Sequence, residues 1–509
     1  MAVQTAITLD TKKLNDALAR FPRDRAMQIG GREAHASGEM IERRSRAHGV
    51  VVTRVPRGRA EDARAAIAAA RAAFDEGPWP NATASNRARV LLNVADLIDR
   101  DRELLALMDT LESGKPIAQA RGEIEGAADI WRYAASLARK FSGENYGNLG
   151  ADQLGFVVRE PVGVVSIITS GNIPLLIVSQ KLPFALAAGC TCIVKPSEMT
   201  SASTLHLGAL LVEAGLPEGV CSIVTGYGPE LGSPMTTDPD VDMISFAEST
   251  AVGRAAMAAG AATLKKVSME LGRKNSQVFF PHANMDAALD AATFGAYFNA
   301  GECCNAGSRL LLHEDIVEEF LSGLAERSKL VKLGDPLDPE TRVGAIISAD
   351  HLGRIESHVR AARAGGAVIR AGGARLQSNG LFMQPTIVAG VVPSMAIASD
   401  EVFGPVVVAL TFKTLDEGGQ TRQFDCLWSF RQRVEPRHRH RRWSRARRPG
   451  RHHMGQHVHG RHTGAAIRRL PSVRHRPRAR AQRGQRLHRG KDTSCPYRPA
   501  NGLVVPRGA

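Results

Sequence analysis

No stretch of this chain stays apolar long enough to cross a bilayer. The longest candidate, Val162 to Ala188, is broken by Asn172, Pro174, Gln180 and Lys181, whereas a spanning helix needs about 20 consecutive apolar residues. The opening M-A-V-Q-T-A-I-T-L-D-T-K-K holds no apolar core of a secretion signal, so export is not expected. Seven cysteines, an odd number with two of them adjacent, do not make a disulfide framework. They suit a reducing cytoplasm, which is the expected location. Nor does a strict G-x-G-x-x-G open the first strand–helix crossover, so a dinucleotide site must be argued from other residues.

Lysine is missing where positive charge is densest. Residues 431–490 hold 20 Arg, no Lys and one acidic residue, Glu435. That is a surplus of +19, with +2 beyond it, against a whole-chain charge of +15. Residues 1–430 are therefore net −6, and the basic character belongs to the tail alone.

What is present reads as two or three domains, since 509 residues exceed what one core can organise. A hydrophobic share of 43% fits a globular protein. Ala60 to Phe74 has the spacing of an amphipathic helix, and helical patterns continue from Asn86 to Ser113 and on to about Lys140. From Gly155 the period changes. F-V-V-R-E-P-V-G-V-V-S-I-I-T-S supplies β-branched runs, I-P-L-L-I-V-S-Q-K-L-P-F-A-L-A-A-G reads as one helix ending at Gly189, and C-T-C-I-V-K-P-S-E is a buried strand leaving into a turn. The alternation repeats through Val224, Phe246 and Glu270, the pattern of a parallel sheet with helices on both faces. A turn Gly226-Tyr-Gly228-Pro-Glu-Leu-Gly232 follows the third strand.

Glu270 and Cys304 lie 34 positions apart, each among small residues. A thiolate near a carboxylate can attack a carbonyl carbon, hold the product as a thioester, and have water activated to release it. Glycine and alanine beside the thiol let backbone amides approach an oxyanion. A lone cysteine is more often a small buried residue, and a lone glutamate at a strand end more often faces water.

The flanking text decides between these. V-S-M-E-L-G-R-K-N around Glu270 and F-N-A-G-E-C-C-N-A-G-S-R around Cys303 and Cys304 resemble the two signatures of the aldehyde dehydrogenase superfamily, and the resemblance runs from about residue 48 to 417. It implies Cys304 as nucleophile, Glu270 as general base, and Asn172 in S-G-N-I-P as the side-chain donor to the oxyanion. K-P-S-E is similar to the family's ribose site, which implies Lys195 and Glu198 on the adenosine ribose. A carboxylate there repels a 2′-phosphate, so NAD is expected as cofactor rather than NADP. The same resemblance assigns Gly226, Gly228, Gly232 and Ser249 to the dinucleotide, and Glu401 and Phe403 of E-V-F-G-P-V to the nicotinamide ribose. No metal is expected.

The fold so implied is α/β and aldehyde dehydrogenase-like. Residues 1–140 with 161–272 would bind NAD, 141–160 would form bridging strands for oligomerisation, and 273–417 would be the catalytic domain. A small aldehyde is the expected substrate, and a homodimer or homotetramer the expected assembly. The segment T-L-E-S-G-K-P-I resembles a family loop between two helices. Four positions depart from the pattern: Gly171 replaces an aromatic residue, Glu248 a glycine, Arg273 a glycine, and Glu302 a glutamine. Glu248 and Arg273 are expected to weaken NAD binding.

Residues 418–509 are a larger departure. Periodicity is lost and the text becomes rich in Arg, His and Pro. Three readings compete: a basic tail for polyanions, a disordered extension, and a slipped reading frame. Against the first, residues 431–490 contain one aromatic, Trp443, on which bases could stack. For the third, Arg451 to Arg483 back-translated and read one nucleotide later gives a text similar to the family's closing segment, as does the stretch from Gly418. A catalytically disabled remnant with a polyanion-binding tail is the alternative to an active enzyme. No specific nucleic acid partner is expected.

Overall fold

The computed structural model describes residues 7–35, 39–150, 153, 155–376, 378, 380–414 and 417, with backbone alone for strands at 431–434 and 473–476. Among the described residues, eighteen strands fall in chain order. The first six are β1 (Met27–Ile29), β2 (Arg32–Ala34), β3 (Met40–Arg44), β4 (Val51–Pro56), β5 (Glu144–Tyr146) and β6 (Gly155–Pro161). Next come β7 (Val164–Ile168), β8 (Thr191–Lys195), β9 (Cys221–Ile223), β10 (Met243–Glu248) and β11 (Lys266–Leu271). The remainder are β12 (Ser276–Phe279), β13 (Arg309–His313), β14 (Val368–Ala371), β15 (Thr386–Ala389), β16 (Val406–Phe412), β17 (Arg431–Val434) and β18 (Val473–Arg476).

Chain contacts divide these into two units. The larger holds residues 1–140 and 161–472, the smaller 141–160 and 473–509. In the smaller one β5 and β6 form an antiparallel hairpin, with β18 on the far side of β6.

The larger unit contains two sheets. The first has the order β11-β10-β7-β8-β9-β1-β2. Its five strands from β11 to β9 run parallel, as the strand–helix alternation predicts. They read as continuous apolar runs because helices cover both faces: every residue of β7, β8 and β9 is buried. The hairpin β1–β2, not expected from sequence, extends this sheet antiparallel at its edge. Its two-residue turn is Gly30-Gly31 with φ of +65° and +89°, a left-handed pair that glycine adopts without a Cβ clash.

The helices follow sequence spacing closely. Ala60–Asp75, Ala84–Arg100, Arg102–Ser113 and Ile117–Ala138 match the expected runs, and Gly114–Pro116 is the loop between the last two. One expectation fails. The single helix ending at Gly189 is two, Pro174–Ser179 and Leu182–Ala187. Pro183 has no N–H to donate back to Ser179, and its ring crowds that carbonyl. Gly228–Thr237 is also helical, so Gly232 sits inside a helix and not in a turn.

The second sheet has the order β14-β15-β16-β13-β12-β17, with β15, β16, β13, β12 and β17 parallel. Its core is built on Leu310, Leu311 and Leu312 of β13 and on Val406, Val407 and Val408 of β16, under Phe320 and Ile355. Burying each such side chain contributes about 1.5–3 kcal/mol.

Candidate active site

Parallel strands place their carboxyl ends along one sheet edge. Asn172 follows β7, Lys195 ends β8, Gly226 follows β9, Glu248 ends β10, and Glu270 lies one residue from the end of β11. Residues scattered over a hundred positions of sequence thus line one crevice, where open α/β sheets bind their ligands. In the second sheet the pattern is reversed. The Cys304 loop precedes β13 and the Glu401–Pro405 segment precedes β16, and these strands are neighbours.

The two edges meet. Asn172 Nδ2 donates to Glu302 O at 2.9 Å, and Asn275 Nδ2 donates to Cys304 O at 2.8 Å. Gly272 lies so close to Glu401 that a Cβ there would collide with the carboxylate, and the Arg273 N–H bonds the same group. Gly301, at φ +73°, abuts Gly404 O at a distance that admits no side chain. Asn299 and Ala300 take φ of +53° and +54°, and Phe403 +54°. Left-handed conformation at three residues other than glycine is costly and collects at functional sites.

Cys304 is exposed at its outer edge while protein packs around most of it. Its thiol is held below the ordinary thiol range, chiefly by a hydrogen bond from Cys303 and also by the Arg273 cation. Burial and the carboxylates of Glu270 and Glu401 act the other way. Cys303 is pushed well up, by that same hydrogen bond and by burial. The Cys303 S–H also has Asn305 Oδ1 within 2.8 Å. One hydrogen cannot serve both, so a thiolate at Cys304 competes with Asn305 for it. Arg273, expected only to hinder the cofactor, therefore favours the charged nucleophile.

Glu302 is buried, and its Oε1 accepts from Ile347 N at 3.1 Å and lies 3.7 Å from His351 Nε2. Burial pushes its carboxyl up to about 8. Gly171 is enclosed: a Cβ there would meet Thr200 Oγ1 at 2.9 Å and Ser197 Oγ at 3.1 Å, so any larger residue requires those side chains to shift.

The residues expected to hold a dinucleotide have a chemistry that fits one. Lys195 is buried, lowered by that burial against the raising influence of Glu198, whose Oε2 lies 3.5 Å from its Nζ. Gly228 and Gly232 open onto free space at the start of their helix. Glu401 Oε1 is buried with no hydrogen-bond partner, an acceptor placed for a hydroxyl. Burial also raises the Glu401 carboxyl to about 7. One contact opposes the fit. Ser249 begins the helix Thr250–Ala261, whose N-terminus is suited to a phosphate, yet its N–H points at Glu248 Oε2, 3.5 Å away.

Sequence reasoning missed Ser170, Asn275, Asn299 and His351. His351 Nε2 lies 2.6 Å from Phe403 O. The positive φ that marks Asn299 as special has no signature in single residue types. Among the described residues no group of His, Cys, Asp and Glu could hold a metal, and no helix is long and apolar enough to cross a membrane.

Two α/β sheets whose edges meet, with a thiol at one edge and a carboxylate at the other, make a site suited to covalent catalysis through sulfur. Residues 33–421 match the aldehyde dehydrogenase family, and the chain belongs to it. It is 42% identical over 372 residues to aminoaldehyde dehydrogenase 2 of Zea mays, covering 71% of this chain and 74% of that one. Its fold is similar to the NAD-dependent aldehyde dehydrogenase of Sinorhizobium meliloti, with a TM-score of 0.82, 44% identity, and 84% and 85% of the two chains covered. A betaine aldehyde dehydrogenase from Staphylococcus aureus in complex with NAD+ gives a TM-score of 0.80 at 36% identity, covering 81% and 83%.

Proposed function

We propose that this protein oxidises an aldehyde to a carboxylic acid with NAD as cofactor, through a thiohemiacetal and then a thioester on Cys304. The observation that carries the reading is the meeting of the Asn172 and Cys304 loops, where Asn172 Nδ2 donates to Glu302 O two residues before the thiol and Gly272 packs against Glu401. Cys304 adds to the aldehyde carbon, forming the C–S bond. Asn172 Nδ2 and the Cys304 N–H receive the negative charge that develops on oxygen. Lys195, Glu198, Gly226, Gly228, Gly232, Ser249, Glu401 and Phe403 would hold NAD, which when bound would supply the acceptor for the hydride that leaves that carbon. Glu270 then takes a proton from water, the hydroxide attacks the thioester carbon, and the C–S bond breaks to return the thiolate.

Residues 1–140 with 161–272 act as the cofactor domain, 273–417 as the catalytic domain, and 141–160 as the strands through which subunits pair in a homodimer or homotetramer. Aldehyde-dependent NADH formation by the purified chain tests the activity, and its loss in Cys304→Ala tests the nucleophile. Equal rates in both proteins would remove the assignment.

We also infer that the text after Gly418 is a shifted reading frame. The family match stops at residue 421, just past the change in composition, and residues 431–490 use Arg to the exclusion of Lys. The chain as written then lacks the segment that completes the catalytic domain, which leaves apolar faces uncovered and activity low. Resequencing the DNA around codon 418 tests it. A one-nucleotide correction restoring a family-like closing segment is expected, and an unbroken frame in independent clones would refute the slip.

A further inference from the structure

The T-L-E-S-G-K-P-I loop and the helix after it contain buried polar groups that the chemistry above does not use. Lys115 and Glu123 form an ion pair with side chains only 1% and 6% exposed. Glu123 Oε1 accepts from Gln119 Nε2 at 2.8 Å. Gln119 Oε1 in turn accepts from the backbone N–H of Asn299 at 3.2 Å. Asn299 is the first of the left-handed residues before the nucleophile, and its Nδ2 donates to Asn172 O at 3.0 Å and to Glu302 O at 2.8 Å. Glu302 O is also where the Asn172 amide is tied.

We propose that Gln119, anchored by the buried Lys115–Glu123 pair, is a positioning residue that holds the Asn299–Gly301 turn in its left-handed form and so aligns Cys304 with the Asn172 amide. A left-handed residue other than glycine relaxes unless its surroundings hold it. Here the hold on the Asn299 backbone N–H is Gln119, a side chain from a helix 180 positions away in sequence. Gln119 cannot swing aside, because its own amide is engaged by Glu123, and Glu123 is fixed by Lys115. Three side chains on the first turns of the helix Ile117–Ala138 and the loop before it therefore fix the backbone of a loop in the other half of the unit. Asn299 transmits the constraint to both expected oxyanion donors, since it bonds Asn172 O and the carbonyl two residues ahead of Cys304. The proposal rests on the assignment of Cys304 and Asn172 given above.

The test compares Gln119→Leu with the exchange Gln119→Glu/Glu123→Gln in the full chain. Leucine removes the acceptor for the Asn299 N–H, and the exchange keeps that acceptor together with one amide donor and one carboxylate across positions 119 and 123. Two readouts are taken: aldehyde-dependent NADH formation, and the rate at which iodoacetamide alkylates Cys304, located by mass spectrometry. For Gln119→Leu, kcat is expected to fall roughly 10- to 100-fold, with KM for aldehyde changed far less. Alkylation at Cys304 slows and its pH midpoint moves, while the melting temperature stays near that of the parent. The exchange recovers most of both. Parental alkylation and kcat in Gln119→Leu would overturn the proposal. So would an exchange variant as impaired as the leucine one at matched melting temperature. If the parent forms no NADH from aldehyde, the functional reading fails, and the alkylation arm alone decides on Gln119. Should Gln119→Leu fail to fold, Glu123→Gln, which keeps the acceptor for Gln119 Nε2 but gives up the charge facing Lys115, is read in the same way.

Discussion

The amide of Asn172 is fixed at both ends: its Oδ1 accepts from Ser170 Oγ at 2.8 Å, which leaves its Nδ2 directed at Glu302 O. An amide NH2 has two hydrogens, so one remains for a substrate oxyanion. Asn172→Ala is expected to reduce kcat roughly 100- to 1000-fold while KM for aldehyde changes little, because that donor acts chiefly on the charge that develops during reaction. Steady-state kinetics decides the matter. An unchanged kcat would take Asn172 out of the oxyanion site.

The role proposed for Glu270 falls in the second half of the reaction, where the thioester meets water. Glu270→Gln should therefore leave the first turnover fast and slow the steady state by roughly 100-fold or more. Stopped-flow absorbance would show a burst of NADH close to one equivalent per active Cys304, followed by a slow phase. Absence of a burst, with both phases slowed alike, would assign Glu270 to activation of the thiol instead.

Burial of Glu302 links stability to pH. Its folded-state carboxyl titrates at about 8, far above the ordinary glutamate value, because burial disfavours the charge. The folded protein thus holds a proton that the unfolded chain releases from about pH 4.5 upward. The associated stability is complete at lower pH and is lost as pH rises toward about 8. Asp109 and Glu112, both raised to about 7 by burial, act in the same direction. Melting temperature should fall between pH 5 and pH 8, and Glu302→Gln should flatten part of that fall, a difference on the order of a few kcal/mol at the upper end. A melting temperature independent of pH over this range would contradict a neutral buried Glu302.

Much of this arrangement was legible in the sequence, and the limits are physical. Strand–helix alternation gave the five parallel strands, because strands covered on both faces read as unbroken apolar runs. The expected nucleophile, base and ribose pair were read from flanking text. Spacing alone would have left Cys304 as one buried cysteine among several. Three-residue strands such as Met27–Ile29 carry too little pattern to register, and the Gly30-Gly31 turn that joins β1 to β2 was passed over with them. Asn275, Asn299 and Gln119 were invisible because their roles come from hydrogen bonds across 29 to 180 positions of chain. Arg273 was read as an obstacle to the cofactor, and its effect on the thiol emerged only when the two sheet edges were brought together.

Glu248 is the departure whose cost can be measured directly. Its carboxylate lies at the end of β10, within reach of the Ser249 N–H that opens a twelve-residue helix. Such an N-terminus carries partial positive charge and donors suited to a pyrophosphate, and a carboxylate there competes for them while repelling the ligand. Partial burial raises the Glu248 carboxyl, Glu198 adds to it, and the Ser249 N–H, Lys195 and Arg354 offset part of it. The residue still reaches solvent, so screening limits the penalty. Glu248→Gly should tighten NAD binding by roughly threefold to tenfold in calorimetry at low ionic strength, the scale of about 1 kcal/mol. The gain should shrink at high salt, since an exposed charge is screened within a Debye length of about 10 Å at 0.1 M. An equal gain at both salt levels would point to bulk rather than charge as the obstacle. An unchanged Kd would mean that the carboxylate swings clear when the cofactor enters.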